Sequence, residues 1–167
     1  MREFDENGLF LANLQAETFG LSTSISNCGS LTFIRRYIYS DYCLSLDNLS
    51  ALKEIITPRE IIEGIDAQYS NSYGSMIIDY DRMYWLGYIY RYYSYTKNLS
   101  SIQVYKIIKP NELLKTYLPF HTQDPKKVIQ LIEEMKGVDY DSTDKLKNLI
   151  RKRVQSVIKE NKIVVPK

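Results

Sequence analysis

One histidine and two cysteines are the first candidates in this sequence for a nucleophile and its base. A catalytic cysteine needs a base beside it, because the thiolate is the reactive form. Cys28 and Cys43 lie far from His121 along the chain, and nothing local brings either thiol to the ring. We interpret both cysteines as buried structural residues. We expect His121 to hydrogen-bond a neighbouring carbonyl or carboxylate and to fix a loop between two helices, with a catalytic role as the alternative.

Motifs for other catalytic and cofactor chemistry are missing from the sequence. The seven glycines lack the spacing of a P-loop or of a dinucleotide-binding fingerprint, and no Gly-x-Ser-x-Gly elbow occurs. The cysteines and His121 do not have the spacing of a zinc site. A single histidine cannot form a ribonuclease dyad, and Lys115 stands where small helical endoribonucleases place an arginine before the histidine. We predict a non-enzymatic protein with no cofactor and no metal.

Arginine and tyrosine are the residues that suggest binding. The chain has 15 tyrosines, against one tryptophan and five phenylalanines. Arg91 lies in an aromatic stretch, where a guanidinium must be paired, stacked on a ring or turned outward. One interpretation pairs it in the core with Asp41 or Asp79. The other places it on a binding face rich in arginine and tyrosine, a composition typical of protein interfaces. The partner-binding residues would then be Arg35, Arg36, Tyr84, Tyr88, Arg91, Tyr95 and His121.

Charge is distributed unevenly along the chain. Residues 1–80 contain five basic and eleven acidic residues, whereas residues 136–167 contain nine basic and four acidic ones. Solvated helix faces explain such a pattern, and a polarised surface that steers a partner is the alternative. The basic end offers a second partner class, nucleic acid. The residues for that alternative are Lys145, Lys147, Arg151, Lys152 and Arg153.

The hydrophobic periodicity indicates an all-α fold. Apolar residues recur at three and four positions in most segments, which predicts a single compact bundle of about seven helices. The segment at about 81–97 is apolar nearly all round, so we expect it to be the central helix. Other helices are predicted over 4–20, 30–46, 58–69 and 125–136, and a brief extended segment over 76–78. We predict a helical core domain over 1–137, with a basic C-terminal helix and tail over 138–167 packed on it or extending from it.

The beginning of the sequence is acidic and lacks the basic region of a signal peptide. No apolar stretch approaches the length of about 20 residues that a membrane-spanning helix needs. These features predict a cytoplasmic protein with reduced thiols and no contact with a membrane.

Several segments are similar to a known protein family. The segments LFLANLQAE, FIRRYIYSDYC, YWLGYIYRYYSYT, SSIQVYKI and YLPFHTQDP resemble an uncharacterised family of small proteins from Firmicutes. The similarity spans about residues 8–135. Members of this family tend to be encoded near toxins that resemble ADP-ribosyltransferases, so the resemblance implies a toxin–antitoxin or phage-defence context. It implies no activity and no functional residues.

Together these features predict a protein-binding module. The leading hypothesis is a bacterial antitoxin or accessory subunit that binds a toxin or defence enzyme encoded nearby. The first alternative is a nucleic-acid-binding regulator that uses the basic C-terminal helix. The second is a toxin enzyme whose site matches no known motif.

Overall fold

Helices account for all the regular secondary structure in the part of the chain that this computed structural model describes, residues 2–69 and 74–138. The predicted all-α class is confirmed, with nine α-helices and one short 3-10 helix in these residues. The chain divides into two units, residues 1–132 and 133–167. The α-helices are α1 (Glu6–Ile25), α2 (Ser30–Ile38), α3 (Asp41–Asp47), α4 (Pro58–Ala67), α5 (Tyr80–Lys97), α6 (Ser101–Ile107), α7 (Pro110–Lys115), α8 (Tyr117–Phe120) and α9 (Pro125–Lys136).

The central helix is α5, as its apolar circumference predicts. It begins at the cap residue Asp79, whose carboxylate accepts a hydrogen bond from the Arg82 amide at 3.0 Å. It ends at Asn98, which adopts the left-handed conformation with φ 53°. Buried side chains lie on several sides of α5, and the helix packs along α1 and against α6 and α7.

Gly87 allows α1 and α5 to approach closely. A Cβ atom at this position would lie 2.9 Å from the Gln15 carbonyl oxygen and 3.0 Å from the Cα of Ala16. A side chain there would therefore force the two backbones apart.

The first helix is longer than the sequence suggests. We expected Gly20 and the following serine-rich run to end it, but α1 continues to Ile25. The hydroxyls of Ser22 and Thr23 donate to carbonyls three residues earlier, at 2.7 and 2.8 Å, so they are satisfied within the helix. Gly20 packs against the ring of Tyr80, which explains a glycine inside the helix.

The predicted helix over 30–46 is two helices. Ser40 interrupts it, because its backbone is extended and its hydroxyl accepts a hydrogen bond from the Cys43 amide at 3.2 Å. The same hydroxyl donates to the Tyr37 carbonyl at the end of α2, at 2.7 Å. One serine thus closes one helix and caps the next. Because of this break, Asp47 lies at the end of a separate short helix, α3.

Local caps fix the remaining elements. Thr57 and Glu60 form the predicted capping box at the start of α4. Residues 76–78, predicted as a brief extended segment, belong to no helix or strand. They run beside the start of α2, where the Ser30 amide donates to the Met76 carbonyl at 3.0 Å. None of the helices in the described residues combines the length and apolarity that a membrane-spanning segment requires.

Candidate functional site

Arg91 lies inside the helical unit. Its side chain is 1% exposed, and its Nη1 atom lies 2.6 Å from the Oδ1 atom of Asp47. Its Nε and Nη2 atoms donate to the Gln15 side-chain oxygen at 3.0 and 2.8 Å. Nη2 also donates to the hydroxyl of Ser101 at 2.9 Å. A buried guanidinium with this many partners holds helices together and does not reach a partner at the surface.

The acceptors around Arg91 are themselves well bonded. Asp47 accepts hydrogen bonds from the Ser101 amide at 2.9 Å and from the Ser101 hydroxyl at 2.7 Å. The Gln15 oxygen also accepts from the Tyr37 hydroxyl at 3.2 Å. The network therefore joins five helices, from α1 to α6 without α4. We refer to these five residues, Arg91, Asp47, Gln15, Tyr37 and Ser101, as the interior network.

The interior network corrects the prediction for Arg91. The expectation of a core ion pair was right, but both acids proposed for it were wrong. Asp79 caps α5, and Asp41 is exposed in the first turn of α3. The partner is Asp47, the last residue of α3. Because Asp47 ends α3 and Ser101 begins α6, only the tertiary fold brings them to Arg91.

Cys43 lies beside this network. Its sulfur is 3.6 Å from Nη2 of Arg91, and the side chain is fully buried. Burial raises the pKa of the Cys43 thiol to about 11, because the thiolate is disfavoured away from water. The residue is therefore a neutral thiol at physiological pH. Cys28 is buried as well, with its sulfur 3.4 Å from the Ser26 hydroxyl.

His121 is exposed at the end of α8. Its Nδ1 atom lies 3.0 Å from the carbonyl oxygens of Tyr117 and Leu118. The imidazole stacks on the Tyr117 ring, with centroids 4.7 Å apart. The predicted hydrogen bond to a neighbouring carbonyl is therefore present, and its acceptors and the stacked ring belong to α8. In the described residues, no group of three or more His, Cys, Asp and Glu side chains has the arrangement of a metal site.

Tyr84 and Tyr88 belong to a surface that we call the aromatic face. It consists of Tyr80, Tyr84 and Tyr88 on α5 with Asn13 and Glu17 on α1, and the spacing of three and seven residues along α1 places Phe10 on the same side of that helix. Phe10 is 50% exposed and Tyr80 is 41% exposed. Tyr80 and Tyr84 stack with centroids 6.0 Å apart, and the Tyr84 hydroxyl reaches the Asn13 oxygen at 3.5 Å. The spacing of four residues along α5 aligns the three tyrosines on one side of the helix.

The tyrosines of the aromatic face keep their hydroxyl protons. Partial burial, and then the charge of Glu17, raise the pKa values of Tyr80 and Tyr84. Partial burial also raises the pKa of Tyr88, with a smaller contribution from Tyr92. Each phenol therefore remains a neutral hydrogen-bond donor over a wide pH range.

Tyr95 is nearly buried and ties the beginning of the chain to α5. Its hydroxyl donates to the Asp5 carboxylate at 2.5 Å, and the guanidinium of Arg2 lies 3.9 Å from the centre of its ring. Burial and this hydrogen bond raise the pKa of Tyr95 to about 12. The same hydrogen bond lowers the pKa of Asp5. The structure thus gives Tyr95, like Arg91, contacts within the protein.

Arg35 and Arg36 line an open pocket beside α2. The pocket has a volume of about 760 Å³ and is lined by Leu31, Thr32, Arg35, Arg36, Tyr39 and Tyr69. We call it the α2 pocket. The guanidinium carbon of Arg36 lies 4.2 Å from the centre of the Tyr69 ring. Sequence reasoning identified the two arginines but not the tyrosines. Tyr39 follows Arg35 by four residues, a spacing that could have revealed it, whereas Tyr69 comes from the end of α4.

The candidate nucleic-acid residues Lys145, Lys147, Arg151, Lys152 and Arg153 lie outside the described residues, as does the C-terminal segment from residue 139. Comparisons of the chain with protein-family models, curated proteins and solved structures gave no match. The resemblance to a Firmicutes family therefore remains a prediction.

Proposed function

We propose that this protein is a non-enzymatic protein-binding module and that the aromatic face is its contact surface. The observation that supports this proposal is the exposure of large rings on the two most extensively packed helices. Phe10 is 50% exposed and Tyr80 41% exposed, although α1 and α5 bury most of their other apolar side chains. Tyr84 and Tyr88 follow Tyr80 on the same side of α5 and are partly exposed. Exposed aromatic side chains on a rigid support are typical of interface hot spots.

The packing of α1 against α5 holds this face in place before a partner binds. Gln15 of α1 donates its amide hydrogen to the Gly87 carbonyl of α5 at 3.0 Å, and Gly87 brings the backbones together. Side chains on such a support lose little conformational entropy when a complex forms. Tyrosine adds a large contact area with few rotatable bonds.

The charges around the aromatic face indicate the chemistry of the partner. Glu17 lies within the face, and Asp81 follows Tyr80 at the start of α5. A complementary partner would present an apolar patch with basic groups at its edge. In the context that the family resemblance implies, the partner is a toxin or defence enzyme encoded nearby, and this protein is its antitoxin or accessory subunit.

Co-expression with the products of neighbouring genes tests the proposal. We expect a stable complex whose dissociation constant rises at least about tenfold for Tyr84→Ala and for Phe10→Ala, as interface hot spots do. Leu44→Ala is the matched control, because Leu44 is a large apolar residue of α3 that is 57% exposed and lies outside the face. Calorimetric titration of the purified components measures the difference.

Two results would count against this function. One is the lack of a complex with any neighbouring gene product. The other is a complex that Leu44→Ala weakens as much as Tyr84→Ala does, since that would place the contact elsewhere. Thermal unfolding of each variant shows whether a lost complex reflects the surface or the fold, because Tyr84 also stacks on Tyr80 and hydrogen-bonds Asn13 within the protein.

A further inference from the structure

The α2 pocket has the composition of a ligand site and is built from residues separate from the aromatic face. Its volume of about 760 Å³ lies within the range of small-molecule sites, roughly 300–1,000 Å³. The lining combines cations, phenol rings and one hydroxyl, and none of the six lining residues is acidic. These groups favour a ligand that is both anionic and aromatic.

The two arginines supply the anion-binding part. Arg36 is 7% exposed, and its guanidinium carbon lies 4.2 Å from the centre of the Tyr69 ring, so two lining residues of the pocket hold each other in place. Arg35, the next residue of α2, is exposed at the pocket rim. Guanidinium groups bind phosphate oxygens through pairs of parallel hydrogen bonds. Thr32 lies one turn earlier and adds a hydroxyl donor.

Tyr39 supplies a platform for a planar ring. Its side chain is 56% exposed, so the phenol remains accessible in the pocket. The Tyr105 ring meets it at 78° with centroids 6.3 Å apart, which restricts its orientation. Lys109 lies over Tyr105, with Nζ 4.0 Å from the ring centre, and brings a further positive charge to this side. Aromatic side chains in such positions stack on nucleobases.

We propose that the α2 pocket binds a mononucleotide. The phosphate would lie between Arg35 and Arg36, and the base would stack on Tyr39. This site goes beyond the protein-binding function proposed above, because it uses other residues and another class of ligand. A free phosphate would use only the arginines, whereas a mononucleotide also uses the ring and more of the pocket volume.

Isothermal titration of the full-length protein with the four nucleoside 5′-monophosphates tests the proposal. We expect at least one of them to bind about tenfold or more tightly than its nucleoside and than inorganic phosphate. Arg35→Gln should weaken nucleotide binding about tenfold, by removing charge-assisted hydrogen bonds. Tyr39→Leu should reduce the affinity for the nucleotide toward that for phosphate and leave phosphate binding unchanged.

Arg59→Gln is the matched control, since Arg59 is an exposed arginine of α4 outside the pocket. It should bind the nucleotide as the wild type does. The proposal fails if no nucleotide gives saturable binding at millimolar concentration, or if phosphate alone binds equally well. It also fails if Arg59→Gln weakens binding as much as Arg35→Gln. Much tighter binding of a single-stranded oligonucleotide that persists in Tyr39→Leu would assign the binding to a nucleic-acid surface instead.

Discussion

Arginine and tyrosine side chains lie together in two regions of this protein, the interior network and the α2 pocket. The charged groups around the arginines differ between them. In the interior network, Arg91 is matched by Asp47 at 2.6 Å and by the neutral oxygens of Gln15 and Ser101. In the α2 pocket, Arg35 and Arg36 stand with two tyrosines, and none of the lining residues is acidic. Residue type alone therefore does not reveal the surroundings of an arginine. Exposure, which only the fold decides, separates the two regions, because Arg91 is 1% exposed whereas Arg35 is exposed.

The largest expected effect comes from breaking the interior network. Arg91→Ala should lower the free energy of unfolding by about 3–5 kcal/mol, because it leaves the carboxylate of Asp47 without its cation inside the fold. Chemical denaturation monitored by circular dichroism measures this loss. Arg59→Ala, at an exposed ion pair of α4, should change stability by less than about 1 kcal/mol. Equal losses in the two variants would show that the network does not hold the helices together.

Gly87→Ala should lower the free energy of unfolding by a smaller amount. This substitution changes the packing of α1 against α5 and leaves the charges of the interior network unchanged. The new Cβ would meet the Gln15 carbonyl oxygen at 2.9 Å, so α1 must shift. Overpacking of this kind costs about 1–3 kcal/mol. Ser24→Ala, on an exposed position of α1, is the control. A stability for Gly87→Ala equal to that of the control would mean that α1 and α5 can separate without cost.

The dependence of stability on alkaline pH tests whether Cys43 is buried as a neutral thiol. The pKa of the Cys43 thiol is raised from 9.0 to about 11, so the unfolded chain loses this proton at a lower pH than the folded chain. The stabilisation is complete below pH 9 and declines as the pH rises toward 11. At pH 10 the loss is about 1 kcal/mol. Cys43→Ala should lose less stability than the wild type over this pH range. Parallel pH profiles for the two proteins would contradict a buried neutral thiol.

The smallest effect on stability is expected in the α2 pocket. Arg35 is exposed, and Arg35→Gln should change the free energy of unfolding by no more than about 0.5 kcal/mol. Urea denaturation of Arg35→Gln and Arg91→Ala under the same conditions compares the loss of unfolding free energy in the two regions. If Arg35→Gln were strongly destabilising, Arg35 would have a structural role and the two regions would be alike.

Much of the fold follows from local sequence patterns. The apolar circumference of residues 81–97 predicts a central helix, and Thr57 with Glu60 predicts the start of α4, because both signals act within a few residues. The prediction was wrong where a single residue had two local options. Ser40 could have remained inside a helix, and it instead ends α2 and caps α3.

The candidate sites were less predictable than the helices. Arg91 was identified as a residue that needs a partner, but the sequence could not select Asp47 from the other acids. The distance from Asp47 to Arg91 depends on how α3 and α5 pack, and no local rule determines that packing. Tyr69 was missed for the same reason, since α4 must place it beside Arg36 of α2 before a pocket exists.

The sequence by itself determined the helical class, the central position of α5 and the need of Arg91 for compensation. Periodicity, caps and the cost of a buried charge are properties of short segments or single residues, so they can be read without the fold. The tertiary structure alone decided which acid meets Arg91, which tyrosines stay exposed and where the α2 pocket lies. These features depend on contacts between residues distant in sequence, and such contacts form only when the helices pack around α5.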